Sequence, residues 1–597
     1  MSKNLYFEDE VVKNSFNFRM IGKLFSYATK YKKTYTFVVL LLLTNSILSL
    51  IPAALNARII NDVLPFDGRM QDKFFRTAVI ILSIWASVLL CQLITNYFSA
   101  KVTTRLGNSI VYEIRQDLFH HLMKLGFDYY DSRPTGKILV RITNYTSEIA
   151  DIFVGHLTTI IVNILMMVAC LISICFMDIR LASVVIIAEI PFSILVWFLV
   201  RELQKRARLT KNKMSNRTAF VAEDINGIEV IKAFNREDLN EQIHEELSDK
   251  VFRAHMRFTN VNEAFYPLSH GVIRIISNIL LYTVALVIII KNPTSLSLGV
   301  LISVTTYMQM FAEALFSLCQ RFQNIATLTT NMERIFEVLE TNPKVIDADQ
   351  AYELPEIKGK VSFRNVTFSY DGLSNILEKV NLEVSPGEMI AIVGPTGAGK
   401  TTIVNLLSRF YNIDSGEILI DGHNIDEVTL KSLRSQVGVM MQDTFLFSGE
   451  IIENIRFSKP EATDEECALA AKKVYADEFI QNLTNGYHTK IKSAASELSS
   501  GERQLLSFAR LVLADPKIII LDEATSNIDT QTELKIQAMM EEVLKDRTSF
   551  IIAHRLSTIK NADRIIYVDD KNILESGSHE ELMKQKGKYY ELVAKHQ

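Results

Sequence analysis

Six stretches of about 20 predominantly apolar residues, the length a helix needs to cross a hydrocarbon layer about 30 Å thick, occupy the first half of this 597-residue chain. They run from Tyr35 to Ala57, Thr77 to Phe98, Asp151 to Phe176, Leu181 to Val200, Pro267 to Ile290 and Leu296 to Leu318. Buried helices of a large soluble domain are the alternative. Runs such as Phe37 to Leu43 and Val184 to Ala188 carry no polar stripe at helical period, which argues for lipid on every side. The mean hydropathy of the whole chain, +0.15, agrees, since a wholly soluble chain with its polar surface seldom reaches a positive average.

Basic residues are retained on the cytoplasmic side of a membrane, so their distribution orients the spans. Lys23, Lys30, Lys32 and Lys33 precede the first span, and seven Lys or Arg residues lie between Arg201 and Arg217, after the fourth. The connection between spans three and four offers Arg180, and that between five and six Lys291. This pattern places both termini in the cytoplasm of a multi-pass cell-membrane protein. Acidic Glu8, Asp9 and Glu10 argue against a cleaved signal, and Phe16 to Tyr27 reads as an amphipathic helix on the membrane surface. The long inner connections, Lys101 to Ala150 and Arg201 to Tyr266, keep helical periodicity through charged sequence. Breaks at 131–136 and at Gly227 predict a short transverse helix at the far end of each. The expected organisation is an N-terminal segment at 1–34, a six-helix domain at 35–340, a polar linker at 341–355 and a second domain at 356–597.

From Val361 short β-rich runs alternate with helices, the pattern of an α/β domain. At its centre Gly394-Pro-Thr396-Gly397-Ala-Gly399-Lys400-Thr401-Thr402 follows the strand-like run 389–393 and opens an apolar-periodic helix. Glycines there let backbone N–H groups face phosphates, Lys400 reaches the β/γ oxygens, and Thr401 offers a hydroxyl to Mg²⁺. An ordinary Gly-rich turn is the bland alternative, and the strand and helix on either side weigh against it. Further on, an apolar run ends in Asp522-Glu523. Asp522 suits a Mg²⁺ contact and Glu523 the polarisation of an attacking water. His554, at the end of another apolar run, suits holding the γ-phosphate and that water. The formal net charge of −4 gives no basic field for nucleic acid. Cys91, Cys170, Cys175, Cys319 and Cys467 form no C-x-x-C pair, which excludes a disulfide framework or a cysteine zinc site.

Taken in order, these motifs resemble those of an ATP-binding cassette exporter half-transporter, and the resemblance covers essentially the whole chain. It implies an α-helical six-span transmembrane domain with long cytoplasmic helical extensions, fused to an α/β P-loop nucleotide-binding domain. It also implies an ATPase coupled to export, with ATP and Mg²⁺ bound. Tyr370 matches the family's adenine-stacking aromatic, Gln442 the glutamine that joins Mg²⁺ to the membrane-domain contact surface, and 526–529 the loop linking two sites. Leu498-Ser499-Ser500-Gly501-Glu502 matches the signature that caps the partner's ATP through Ser499 and Gly501. Thr135-Gly136 and 223–234 resemble the two cytoplasmic coupling tips.

Two departures stand out. The signature has Ser500 and Glu502 where the family carries Gly and Gln, and Lys492-Ser493 replaces an upstream Gly-Glu pair. An added Cβ crowds a close backbone approach, and a carboxylate near a polyanion is unfavourable. In this respect the chain is similar to the catalytic-site subunit of bacterial heterodimeric multidrug exporters, which implies a different partner half with a degenerate catalytic site. An amphipathic small molecule or a lipid is the implied substrate, and Glu313 on the last span is favoured over Glu189 to line its path. His270, Arg274, Gln309, Met308 and Met310 are the other intramembrane candidates, with interhelical pairing or snorkelling as the alternative role. A homodimeric lipid or lipid-linked-substrate flippase is the competing reading. An ATP-gated channel or regulator is disfavoured by the lack of a regulatory insertion.

Overall fold

A computed structural model describes residues 18–63, 71–133, 135–151, 155–156, 158–267, 271, 273–292, 295–441, 444–492, 498–522, 539–540, 542–552 and 559–595. The chain divides into two compact units: Met1–Met123 with Thr135–Thr341, and Lys124–Pro134 with Asn342–Gln597.

Among the described residues, six helices of the first unit are long and apolar enough to cross a membrane: Lys32–Asn61, Phe75–Leu122, Thr158–Met177, Ile179–Asn226, Arg274–Lys291 and Leu298–Leu318. Three of the helices that carry them are far longer than a membrane crossing requires, Gln71–Leu122 with 52 residues, Ile179–Asn226 with 48 and Leu298–Glu340 with 43. At a rise of 1.5 Å per residue each runs for roughly 65–80 Å, about twice the hydrocarbon thickness, so the apolar spans do continue as polar extensions. Asp178 starts the Ile179–Asn226 helix by accepting from the N–H groups of Arg180 and Leu181, and the Arg180 guanidinium closes on the same carboxylate at 2.7 Å. Cys170, Ile174, Leu181, Val185, Leu281 and Val304 form the centre of the bundle. Ser303 Oγ donates to the Ala53 carbonyl at 2.6 Å and Tyr307 Oη to that of Leu50 at 2.9 Å, tying the last span to the first. In hydrocarbon such bonds replace the water these hydroxyls would otherwise seek. Outward, the helices present Leu90, Leu93, Ile187 and Trp197. Only 11% of the most apolar window of the second span is buried within the chain, as expected of a surface that lipid or another subunit covers.

Helix Phe18–Thr29 stands where the amphipathic surface helix was expected, residues 16 and 17 lying outside the described residues. Gly227 ends the fourth-span helix, and the short helix Ile228–Ala233 follows, as its break predicted. In the other connection the 131–136 break has a short helix on each side, Phe127–Asp131 before it and Thr135–Val140 after it. Each buries an apolar residue, Tyr129 in the first and Ile138 in the second, and the Phe127 ring packs on Phe410 at 4.5 Å.

Among the described residues the second unit has twelve strands: β1 (Val361–Phe368), β2 (Leu377–Val384), β3 (Met389–Val393), β4 (Ser415–Ile420), β5 (His423–Asn424), β6 (Val437–Met440), β7 (Gly449–Glu450), β8 (Lys490–Ile491), β9 (Ile518–Asp522), β10 (Thr548–Ile552), β11 (Arg564–Asp569) and β12 (Asn572–Gly577). β2-β1-β4-β5 form an antiparallel sheet, β7 and β8 a short ribbon, and β12-β11-β3-β10-β9-β6 a sheet that is parallel except at β12. Both faces of the parallel sheet are covered. Ile390, Ile392, Ile518, Ile520, Phe550 and Ile552 face one cluster, while Ala391, Val393, Ile519, Leu521 and Ile551 face the other. That double burial is why these strands read as unbroken apolar runs instead of alternating ones. The stretch expected to be a linker is pinned to this unit. Arg409 and Asn412 donate to the carbonyls of Ile346 and Lys344, Asp347 accepts from Leu430 N–H, and Tyr352 bridges Val428.

Candidate phosphate-binding site

Parallel register sets the site. Ile392 of β3 lies opposite Ile552 of β10, which lies opposite Asp522 of β9, so three strands end at one level and release their loops together. The loop after β3 turns through positive φ at Gly394 (148°), Gly397 (84°) and Gly399 (102°). A Cβ at Gly394 would run into the Val568 carbonyl, so glycine is required there by contact as well as by conformation. Gly399 precedes the helix Lys400–Leu407, which has no side-chain cap, so its first N–H groups face the loop. Lys400 is only 7% exposed, and its Nζ donates to the carbonyls of Gly394 at 2.8 Å and Pro395 at 2.9 Å. The loop is thus folded around a buried ammonium group.

Beside this loop lies a cavity of about 490 Å³ lined by Tyr370, Ile376, Thr396, Gly397, Gly399, Lys400, Thr401, Thr402, Asp522 and Ile552. Its volume lies within the roughly 300–1,000 Å³ of small-molecule sites. Tyr370 Oη meets Thr402 Oγ1 at 3.1 Å, and its ring stands edge-on to Phe368 and Tyr411 at 4.8 and 5.0 Å, leaving the side chain 46% exposed at the cavity rim. The turn after it is held by Asp371, whose carboxylate accepts from the N–H groups of Ser374 and Leu373 and from Ser369 Oγ. Those bonds pull its pKa down to about 2. Tyr411 donates to Asp131, and burial together with that carboxylate drives the phenol's pKa upward.

Of the residues singled out from sequence, Tyr370, Thr396, Gly397, Gly399, Lys400, Thr401, Thr402 and Asp522 line this one cavity, and Gly394 shapes its loop. Ser499 and Gly501 stand apart from it, at the start of helix Ser500–Ala514. There Ser499 Oγ accepts from Glu502 N–H at 3.2 Å, while Glu502 Oε2 accepts from Ser499 N–H at 2.7 Å. This reciprocal cap gives the carboxylate a structural role that its charge alone does not suggest. Gln442, Glu523 and His554 lie outside the described residues, as do 526–529 and His270.

The structure adds residues that motif reading passed over. Arg510, on the same helix as the cap, donates Nε to the Asn454 carbonyl at 2.6 Å, a second nitrogen to Asn454 Oδ1 at 2.7 Å and a third to the Phe445 carbonyl at 2.7 Å. Asn454 in turn holds both backbone groups of Phe447. The segment following Gln442 is thereby braced against the helix that Ser499 opens. The only signal in sequence was an arginine among apolar neighbours.

The ABC transporter family model matches residues 377–526, and the ABC transporter transmembrane region model matches 35–315. Among similar proteins, the ABC transporter ATP-binding protein YknV of Bacillus subtilis (strain 168) is 36% identical over 595 residues, 98% of this chain and 96% of the relative. YheH of the same organism, named as a probable multidrug resistance ABC transporter ATP-binding/permease protein, is 34% identical over 86% of this chain and 76% of its own length. The ATP-dependent lipid A-core flippase of Syntrophus aciditrophicus (strain SB) is 35% identical, covering 83% of this chain and 82% of the flippase. The solved structure of a bacterial Atm1-family ABC exporter with ATP bound superposes with a TM-score of 0.79 at 27% identity, covering 95% of this chain and 98% of that one.

Proposed function

The chain belongs to the ABC transporter family, as an exporter half with its membrane-spanning region and its ATP-binding domain on one polypeptide, and from that premise we propose how it works and on what. It is a multi-pass membrane protein whose ATPase is coupled to export. In the proposed arrangement both termini face the cytoplasm, the side favoured by the basic residues of the inner connections.

The observation that carries the mechanism is the cavity joining Tyr370, Lys400, Thr401 and Asp522. Tyr370 stacks on adenine, the loop N–H groups and Lys400 hold the β- and γ-phosphates, Glu523 polarises the attacking water, and His554 fixes that water against the γ-phosphate. A hydroxyl and a carboxylate in one phosphate-facing cavity, with no cluster of three His, Cys, Asp or Glu among the described residues, fit a magnesium ion that takes its remaining ligands from phosphate and water. Thr401, Asp522 and Gln442 would hold it, and it would neutralise phosphate charge. Two ATPs clamped between two nucleotide domains favour the outward-facing state, and hydrolysis reopens the pair.

The proposed partner is a different chain. ATP in this family needs a phosphate loop from one half and a signature from the other. Here the signature carries Ser500, and Glu502 already presents a carboxylate to the Ser499 N–H. Pairing with itself would place that signature at both sites, whereas a partner with an ordinary signature and no counterpart of Glu523 yields one hydrolytic and one slow site. Co-purification with such a half is expected to raise drug-stimulated ATPase severalfold over the chain alone. A stable dimer of this chain by itself with full ATPase and transport would overturn the reading and favour a homodimeric flippase, the activity named for the Syntrophus relative.

The proposed cargo is an amphipathic, cationic drug-like compound or lipid. Glu313 is exposed on the last-span helix, whereas Glu189 is buried with one carboxylate oxygen unbonded, so Glu313 is the accessible acid. A hydrogen-bonded charge contact contributes about 1.5–3 kcal/mol, so Glu313→Gln is expected to weaken transport of cationic substrates roughly tenfold or more. Neutral substrates should be spared. Uptake into inverted vesicles measures both, and unchanged export of every cation would remove Glu313 from the path.

A further inference from the structure

Tyr411 is not among the residues that line the phosphate-facing cavity, yet it supports the ring at the cavity's rim. It comes shortly after the helix Lys400–Leu407, past a turn in which Arg409 takes a positive φ of 48°. That conformation is one that residues other than glycine seldom adopt. It is held from several sides: the buried Arg409 guanidinium donates to the carbonyls of Val428 at 3.1 Å and Ile346 at 2.9 Å, and pairs with Asp426 at 3.2 Å. The direction in which the next two side chains leave the backbone is fixed with it.

Those two side chains are rings. Phe410 receives Phe127 and carries the Arg434 guanidinium 5.4 Å from its centre. Tyr411 is buried in the cluster that includes Phe368 and Leu377. Its ring stands at 86° to that of Tyr370, with centroids 5.0 Å apart, and Phe368 meets the same Tyr370 ring at 84° and 4.8 Å. Such pairs set the positive edge of one ring against the negative face of the other, so each prefers one orientation, and two of them together hold Tyr370 in place. The Tyr411 hydroxyl points the other way in function: it donates to Asp131, within residues 124–134, which pack with the second unit although the backbone on both sides of them belongs to the first. Burial and the carboxylate both raise the pKa of this phenol, so it remains a donor at physiological pH. Tyr411 thus joins Tyr370 to Asp131 through two contacts in series.

We propose that Tyr411 is a positioning residue for the nucleotide base: its ring sets Tyr370 for adenine, and its hydroxyl, through Asp131, links occupancy by the base to the segment 124–134. This role rests on the reading of Tyr370 as the adenine-stacking aromatic and adds what orients that ring. The phosphate loop from Gly394 to Lys400 contains no aromatic residue, so the link answers to the base and not to the phosphates. Linkage makes the effect reciprocal: a change in 124–134 felt through Asp131 alters affinity for the base by the factor by which base binding alters the segment.

ADP and inorganic pyrophosphate separate the base from the phosphates, and neither carries the γ-phosphate that clamps two nucleotide domains. Titration calorimetry of the full chain with each probe is the first readout. Tyr411→Leu, which keeps an apolar side chain and removes the ring, should weaken ADP roughly two- to tenfold, the range of an edge-on aromatic pair, and leave pyrophosphate unchanged. Tyr411→Phe keeps the ring and should bind ADP as the parent does. Amide exchange of residues 124–134, followed by mass spectrometry, is the second readout. ADP should slow it in the parent and pyrophosphate should not. The slowing should vanish in Tyr411→Phe and in Asp131→Ala, the latter an exposed position. Equal loss of ADP and pyrophosphate binding in Tyr411→Leu would mark a residue of the fold alone and overturn the proposal, as would ADP-induced slowing that persists in Asp131→Ala. Tyr370→Ala tests the underlying reading by itself. Unchanged ADP affinity there would withdraw adenine stacking and the role of Tyr411 with it, whereas weakened ADP in Tyr370→Ala beside unchanged ADP in Tyr411→Leu would keep the stacking and overturn only the role of Tyr411.

Discussion

Lys400→Ala is expected to reduce ATP affinity at the site built on this phosphate loop by at least roughly thirtyfold, and with it nearly all turnover. Truncating one side of a buried, hydrogen-bonded charge contact costs about 2–5 kcal/mol, which corresponds to roughly thirtyfold to several thousandfold in binding. The upper part of that range is favoured. Lys400 is 7% exposed, so no bulk solvent replaces it, and its ammonium group also bridges the carbonyls of Gly394 and Pro395 that shape the loop. The strands beneath are unaffected, because Ile390, Ile392 and Ile552 remain packed whatever occupies position 400. Isothermal titration with ATP, beside a thermal melt without nucleotide, separates the two effects. Loss of binding with an unchanged melt supports the assignment; tight ATP binding in the variant would end it.

Glu523→Gln is expected to behave in the opposite way, with ATP bound within about twofold of the parent and hydrolysis slowed by a factor of about 10²–10⁴, the usual contribution of a positioned general base. The amide keeps the size of the carboxylate and loses its basicity. Asp522, one residue earlier, already lies in the cavity with Lys400 and Thr401, so this variant tests the separation of ion binding from water activation on neighbouring acids. Phosphate release under saturating ATP measures it. The variant should also accumulate an ATP-bound closed dimer, detectable by crosslinking between the nucleotide domains. Turnover near the parent rate would move the general base to another residue.

What could be read from sequence followed the range over which each feature is specified. The six spans were legible because an apolar run needs no partner to be recognised. Their ends were less so, because an apolar run does not mark where its helix starts: the first was read from Tyr35, and its helix begins at Lys32. The phosphate loop was legible because strand, glycines, Lys400 and helix all lie within the consecutive residues 389–407. The seating of Phe127 on Phe410 was not, since it joins positions far apart in the chain through an aromatic face that any surface helix might carry. The contacts that hold the stretch after Thr341 were not legible either, because its anchors are mostly backbone carbonyls, which every residue possesses. Glu502 shows a different failure. The Ser-x-x-Glu pattern of a capping box was present in the letters, but the carboxylate was read for its charge and not for the N–H group it reaches.

The assignment of residues 124–134 to the second unit has a consequence for the exchange of parts between related transporters. The backbone passes from one unit to the other after residue 123, returns after 134 and leaves again after 341, so the nucleotide-binding unit is not a C-terminal cassette on a single tether. A chimera spliced only near position 342 would keep this chain's Phe127 and Asp131 while replacing the Phe410 and Tyr411 that receive them. A graft that also carries 124–134 keeps those contacts among residues of one origin, and is the version expected to fold with its donor's stability.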